Sequence, residues 1–198
     1  VTPQLAGNFF TVDLAKARSA FESVPWVRKA VVRREFPNKL RAILTEQVPV
    51  AFWGSEDESR LINSFGEVFD ANVAEVDQPL PRLSGPVEHA GQVLGMYQVL
   101  RPLFAPYDLN LEELSLSSRG SWEARLDTGA VIELGRGQAD EVAARTQRFL
   151  TSVRQVAGQY GRTLESLESA DLRHKDAYAL RLRGVTTVAD GAALPKKK

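Results

Sequence analysis

The sequence predicts an α+β fold in two domains. A helix-like segment and a β-hairpin come first, and a break at Pro49 separates them from a longer β-rich region. Two amphipathic helical segments interrupt the short strands of that second region. We therefore expect a first domain at residues 1–48, a mixed and mainly antiparallel β-domain at 49–185, and a flexible Lys-rich tail at 186–198.

The first domain is predicted to be a helix followed by a hairpin. Apolar residues recur at helical spacing within residues 8–23, where Thr11 or Asp13 supplies the cap and Pro25 ends the helix. Two alternating segments follow, joined by Phe36-Pro37-Asn38-Lys39, in which proline restricts φ and asparagine tolerates positive φ. The hairpin offers no nucleophile, base or metal ligand set, which favours a binding role.

The second domain is predicted to contain short strands and two helices. The helices are expected at Val87–Phe104 and Asp140–Tyr160, and the later one has a buried stripe that includes Val156 and Tyr160. Residues 77–86 are expected to be irregular. The predicted strands are Val50–Trp53, two within Leu61–Phe69, Leu114–Ser118, Ser121–Leu126, Ala130–Leu134, Ser166–Arg173 and Tyr178–Arg183.

Composition excludes several classes of function. Lys+Arg and Asp+Glu both number 25, so the chain lacks the basic excess of a general nucleic-acid binder, and we expect no nucleic-acid partner. There are no cysteines, which removes disulfides and thiolate chemistry. No apolar run approaches the ~18 residues of a membrane span, so any anchor is expected upstream of Val1.

Neither histidine nor glycine patterns indicate a cofactor or metal site. His89 and His174 are the only histidines, and neither has a second ligand at metal-binding spacing. Leu134–Gly137 resembles the start of a phosphate loop but lacks the full glycine pattern. A strand-to-helix turn with glycine at positive φ explains it better, and we predict no cofactor.

A glycan hydrolase is the less favoured enzymatic alternative. Carboxylates at Glu56–Glu58 and Glu112–Glu113 could act as an acid–base pair, with Trp26, Trp53 and Trp122 as a sugar platform. Each tryptophan lies in or beside an apolar strand, so core packing is the better interpretation. We predict no catalytic residues.

The final predicted strand is the candidate binding site. Tyr178, Leu180 and Leu182 alternate with Ala179, Arg181 and Arg183, and no later element is available to pair with its outer side. Such an edge can be protected by charge, or it can accept a partner strand. The residues alone leave both interpretations open. Positive charge surrounds the strand at Arg173, Lys175, Arg181 and Arg183.

Several segments in order resemble the FtsQ/DivIB cell-division family. GNFFTVDL at Gly7–Leu14 and VPWVRKAVVRREFPNKLRAILTEQVPVAFW at Val24–Trp53 resemble its POTRA module. LINSFGEVF with LPRLSGP, SWEARLDTGAVIELGRG and ADLRHKDAYALRLRG resemble its β-domain. The resemblance implies a partial POTRA module whose first strand and most of its first helix are absent, so that the hairpin exposes an edge. An outer-membrane assembly or secretion protein with POTRA modules is the alternative.

The resemblance also implies a non-enzymatic scaffold of the divisome. Members of the family are expected to cross the inner membrane once, to place this region in the periplasm, and to act at the septum. The implied partners are FtsB and FtsL at the β-domain, with FtsK at the POTRA end. His174 replaces a family tyrosine and Leu182 a late aromatic residue. The implied partner-binding residues are Arg119, Arg173, His174, Ala177, Tyr178, Ala179, Leu180, Arg181, Leu182 and Arg183.

Overall fold

The computed structural model describes residues 9–57, 60–159, 161–174 and 177–185 and confirms the α+β fold. Tyr160, Lys175 and the predicted tail lie outside the described residues. The chain divides into two compact units, Val1–Leu94 and Gly95–Lys198. The helices are α1 (Leu14–Glu22), α2 (Ala90–Phe104) and α3 (Ala139–Gln159). The strands are β1 (Val27–Glu35), β2 (Lys39–Glu46), β3 (Pro49–Trp53), β4 (Arg60–Asn63), β5 (Val68–Phe69), β6 (Arg82–Ser84), β7 (Leu111–Leu116), β8 (Ser121–Leu126), β9 (Val131–Arg136), β10 (Leu167–Asp171) and β11 (Ala179–Leu182).

The first unit begins with the predicted helix and hairpin. The Asp13 carboxylate caps α1 by accepting hydrogen bonds from the backbone N–H groups of Ala15 and Lys16. Strands β1 and β2 pair antiparallel around a turn with a cis Phe36–Pro37 bond. Helix α1 packs on β1, and Ala17 and Ala30 are fully buried between them. All eight residues of β2 are exposed, because α1 covers only the neighbouring strand.

A buried asparagine joins the hairpin to the strands that follow it. Strand β3 pairs antiparallel with β4 and parallel with β6, and β4 pairs with β5. The Asn63 side chain at the end of β4 is 1% exposed, and its Nδ2 donates to Gln47 Oε1 and Glu67 Oε2 at 2.8 Å each. Glu67 in turn accepts two hydrogen bonds from Arg28, at 2.7 and 3.0 Å. These bonds tie β1 to the β4–β5 turn.

Glu67 is expected to make this connection dependent on pH. The hydrogen bonds from Arg28, and then from Asn63, lower the pKa of Glu67 from 4.5 to about 2. Because the folded-state pKa is depressed, the stabilisation is complete above pH 4.5 and is lost as the pH falls towards 2. We expect Glu67→Gln to cost about 0.5–1 kcal/mol at neutral pH, since half of the side chain is exposed, and progressively less in acid.

Urea unfolding between pH 2 and 7 checks this expectation. Glu88→Gln changes an exposed glutamate elsewhere in the same unit and serves as the matched control. A cost for Glu67→Gln that stays constant down to pH 2 would contradict the proposed role of the ionised carboxylate.

The second unit contains a sheet with the strand order β11-β10-β9-β8-β7. Neighbouring strands are antiparallel except β9 and β10, which are parallel. Helix α3 packs on β9 and buries Val142, Thr146 and Phe149. The predicted Asp127-Thr128-Gly129 turn joins β8 to β9, with Gly129 at φ 80°.

Some predicted boundaries and burial patterns are wrong. Residues 77–86 were expected to be irregular, but they contain β6. This strand pairs with β3, and no pattern within the segment predicts that pairing. Strand β7 begins three residues before its predicted start, at Leu111. On α3, Leu150 and Ala157 are buried and Val156 is only half-buried, because the helix face that packs on the sheet includes Ala157 and not Val156. Trp53 and Trp122 are buried in the core, as expected.

Candidate protein-binding site at the final strand

Strand β11 is the terminal strand of its sheet, and one of its two sides faces β10. The Arg183 N–H donates to Ser166 O at 2.8 Å, which orients that residue towards β10. The direction of the backbone hydrogen bonds alternates along an antiparallel strand. The backbone N–H and C=O groups of Arg181 and Ala179, two and four positions before Arg183, therefore also face β10. The N–H and C=O groups of Leu180 and Leu182 therefore point away from β10, where the described residues place no further strand.

The side chains of β11 alternate between core and solvent as predicted. Leu182 is 3% exposed and Leu180 and Tyr178 are half-buried, whereas Ala179 and Arg181 are exposed. Burial of Leu182 removes its side chain from any contact with a partner. This residue can offer a partner its backbone N–H, because its C=O already accepts a hydrogen bond from the Val185 N–H.

Two of the predicted cationic residues already pair with carboxylates within the chain. Arg173 donates to both carboxylate oxygens of Asp171, at 2.9 and 2.6 Å, and lowers the pKa of Asp171 to about 2. Arg181 lies 3.5 Å from Glu168, and its side chain remains 72% exposed. Both guanidinium groups keep enough exposed surface to interact with an acidic segment lying along β11.

A groove of about 610 Å³ lies beside β11, between α3 and the segment after β10. Its aromatic wall is formed by Phe149 and Tyr178, whose rings meet edge to face at 5.2 Å. The Tyr178 hydroxyl donates to Ser152 Oγ at 2.8 Å, which fixes the ring against α3. The complete lining is Arg145, Arg148, Phe149, Ser152, Leu172, His174, Ala177 and Tyr178.

The groove includes two arginines that the sequence analysis missed. Arg145 and Arg148 are three residues apart on α3, so they share one helix face. Arg145 Nη2 donates to Arg136 O at 2.8 Å, while its buried Nε has no hydrogen-bond partner among the described residues. A cationic rim above an aromatic wall suits a ligand with both acidic and aromatic side chains. The sequence did contain a signal for them: two arginines three residues apart, next to the buried residues of a predicted helix.

The sheet separates the remaining predicted residues. Arg119 is exposed in the turn between β7 and β8, and strand registers place that turn at the same end of the sheet as Arg173. Three strand spacings, about 14 Å, separate β8 from β11. Arg183 lies at the opposite end, where its guanidinium donates to Thr128 O. The structure therefore gathers His174, Ala177 and Tyr178 at the groove, with Arg173 next to His174, and it separates Arg119 and Arg183 from the groove.

Comparison with known proteins decides the family. The model described as cell division protein FtsQ/DivIB, C-terminal, matches residues 51–173, which is more than half of the chain. The chain belongs to the FtsQ/DivIB family. A second model, the FtsQ-type POTRA domain, matches residues 2–47. The FtsQ/DivIB match ends at Arg173, so β11 lies beyond the matched residues.

Curated relatives in this family are named cell division protein FtsQ. The protein from Thiomonas arsenitoxydans is 41% identical over 92% of this chain and 67% of the relative. The protein from Burkholderia pseudomallei is 40% identical over 96% of this chain and 74% of the relative. The protein from Bordetella pertussis is 41% identical over 92% of this chain and 70% of the relative. A role in cell division follows from this membership.

Two further properties of the described residues concern membranes and metals. Within residues 9–57, 60–159, 161–174 and 177–185, no helix is long and apolar enough to cross a bilayer. The same residues contain no group of three or more histidine, cysteine or acidic side chains arranged to hold a metal ion.

Proposed function

We propose that this chain is the non-enzymatic periplasmic region of a divisome scaffold that is anchored in the inner membrane, and that it binds FtsB, together with FtsL, at β11. The observation that carries the proposal is the pair of outward-facing backbone positions at Leu180 and Leu182. A partner strand can use the N–H and the C=O of Leu180 and the N–H of Leu182, whose C=O already accepts a hydrogen bond from the Val185 N–H at 3.2 Å. One backbone hydrogen bond contributes only about 0.5–1.5 kcal/mol, so side-chain contacts must add to the affinity.

The groove and the exposed arginines near β11 supply those side-chain contacts. Arg173 and Arg181 attract an acidic partner segment. The wall of the groove formed by Phe149 and Tyr178 accepts an apolar or aromatic side chain. This arrangement favours docking over simple edge protection, since protection by charge needs no adjacent groove.

We further propose that the chain acts as two modules at the septum. The POTRA module at residues 1–48 recruits further division proteins such as FtsK, and the β-domain at 49–185 carries the FtsB site. The family-model matches at 2–47 and 51–173 support this boundary.

Amide hydrogen exchange at single residues tests the strand-pairing geometry. On addition of a synthetic FtsB periplasmic peptide, exchange at Leu180 and Leu182 is expected to slow at least about tenfold, because their free N–H groups become hydrogen-bonded. The Arg183 amide, which already donates to Ser166 O, is expected to change less. NMR-detected exchange of the free and bound chain measures all three.

The Arg183 amide is the internal control for general stabilisation of the sheet. A complex that forms while Leu180 and Leu182 keep their free-state exchange rates would overturn pairing at β11. Equal slowing at all three amides would indicate stabilisation of the sheet without added strand pairing, and would also count against it.

A further inference from the structure

The tip of the β1–β2 hairpin carries an exposed aromatic cluster that the proposed function does not use. Phe36 in the turn is 80% exposed, and Phe10 is 73% exposed. Phe9 joins them, with its ring edge to face against both, at centroid distances of 5.6 and 5.0 Å. Exposed aromatic side chains that protrude together are characteristic of an interaction surface.

The cluster is held in place by one side chain on β1. The Arg34 guanidinium donates to the carbonyl oxygens of Phe9, Phe10 and Val12, at 2.9, 3.4 and 2.7 Å. These bonds fix the segment before α1 against the hairpin. The hydrogen bonds of Arg34 thus hold the rings of Phe9 and Phe10 together at the hairpin tip.

The hairpin tip that carries the aromatic cluster is rich in basic residues. Residues 33–41 contain four cationic side chains, Arg33, Arg34, Lys39 and Arg41, but only one carboxylate, Glu35, in a chain whose net charge is zero. Glu35 pairs with Arg41 at 2.7 Å. Arg33 lies directly opposite Arg41 in the hairpin, and like charges in that position repel. Among the described residues, no ion pair involves Arg33 or Lys39, so an anionic ligand would relieve this repulsion.

We propose that the hairpin tip, formed by Phe9, Phe10, Phe36, Arg33 and Lys39, docks on the surface of an anionic phospholipid bilayer. Aromatic rings favour the interface between headgroups and acyl chains, and nearby cations favour anionic headgroups. A bilayer accepts protruding rings, whereas a peptide partner would have to provide a matching pocket. This inference does not depend on the binding site at β11.

Spin labelling tests whether the tip enters the interface. The chain has no cysteines, so Phe36→Cys carries a single nitroxide label. Phe65→Cys is the matched control, because Phe65 is 65% exposed and lies against Arg28, eight residues and about 26 Å along β1 from the tip. With phosphatidylglycerol-containing vesicles, the label at 36 is expected to become more accessible to oxygen and less accessible to a water-soluble nickel complex. The label at 65 is expected to remain in water.

Charge reversal tests the lipid selectivity in vesicle cosedimentation. Each cation near an anionic surface contributes about fivefold, so Arg33→Glu with Lys39→Glu is expected to weaken binding by at least about 25-fold. Arg101→Glu with Arg154→Glu gives the same change in net charge at exposed positions elsewhere and is expected to bind almost as the unchanged chain does.

Three outcomes would overturn the proposal. These are no binding to anionic vesicles, equal loss in both double variants, and a label at 36 that stays aqueous while the chain binds. Capture of an acidic peptide by the tip, without vesicle binding, would assign the surface to a protein partner instead. The tip variants are expected to bind the FtsB peptide unchanged, so failure here is distinct from failure at β11.

Discussion

Gly66→Ala is expected to lower the free energy of unfolding by about 3 kcal/mol. Gly66 has φ +79°, which costs a residue with a side chain roughly 1 kcal/mol. A Cβ at this position would also lie 2.6 Å from Gly91 Cα, near the start of α2. Backbone cannot move aside as a flexible side chain can, so the overlap adds roughly 1–3 kcal/mol.

Gly120→Ala provides a control with the same backbone conformation. Gly120 has φ +77°, but an added Cβ meets nothing within 4 Å, so only the conformational cost of about 1 kcal/mol remains. Urea unfolding of both variants separates the two contributions. Equal losses of stability would show that the approach of Gly66 to Gly91 is not a constraint on folding.

Simultaneous reversal of Arg173 and Arg181 to glutamate is expected to weaken FtsB binding by at least about 100-fold. Like charges facing one another across an interface cost several kcal/mol, and both arginines are more than half exposed beside β11. Calorimetric titration with the FtsB peptide measures the effect. The Arg101→Glu/Arg154→Glu variant controls for the change in net charge.

Folding of the reversed variant needs a separate check, because Arg173 also neutralises Asp171. A glutamate at 173 would face both Asp171 and Glu133, which already lie close to the native guanidinium. Arg173→Gln with Arg181→Gln avoids this repulsion and is expected to lose affinity by about tenfold while unfolding at nearly the native temperature. Native affinity in either folded variant would exclude an electrostatic role for these residues.

Local elements of the fold could be predicted because the signals for them lie close together in the sequence. The Asp13 cap satisfies backbone N–H groups two and three residues away. The Asp127-Thr128-Gly129 turn needs a glycine at positive φ, and Gly129 provides it. The alternation of β11 followed from the two-residue period of a strand and its position as the last element.

Long-range contacts could not be predicted in the same way. Asn63 resembles any turn residue in the sequence, and only folding brings Gln47 within 2.8 Å of its amide. Strand β6 has no strong pattern because its three residues are stabilised by β3. The parallel pairing of β9 with β10 requires α3 between them, and no local signal specifies its register.

The candidate site shows the same division. Local alternation and charge were enough to identify β11 and its cationic residues, and the order of family-like segments indicated a cell-division protein. Tertiary structure decided that Leu180 and Leu182 direct their backbone groups outward, that the Leu182 side chain is buried, and that Arg145, Arg148 and Phe149 form a groove with Tyr178. The reason is physical: a strand's period is a property of neighbouring residues, whereas a groove exists only where distant elements pack together.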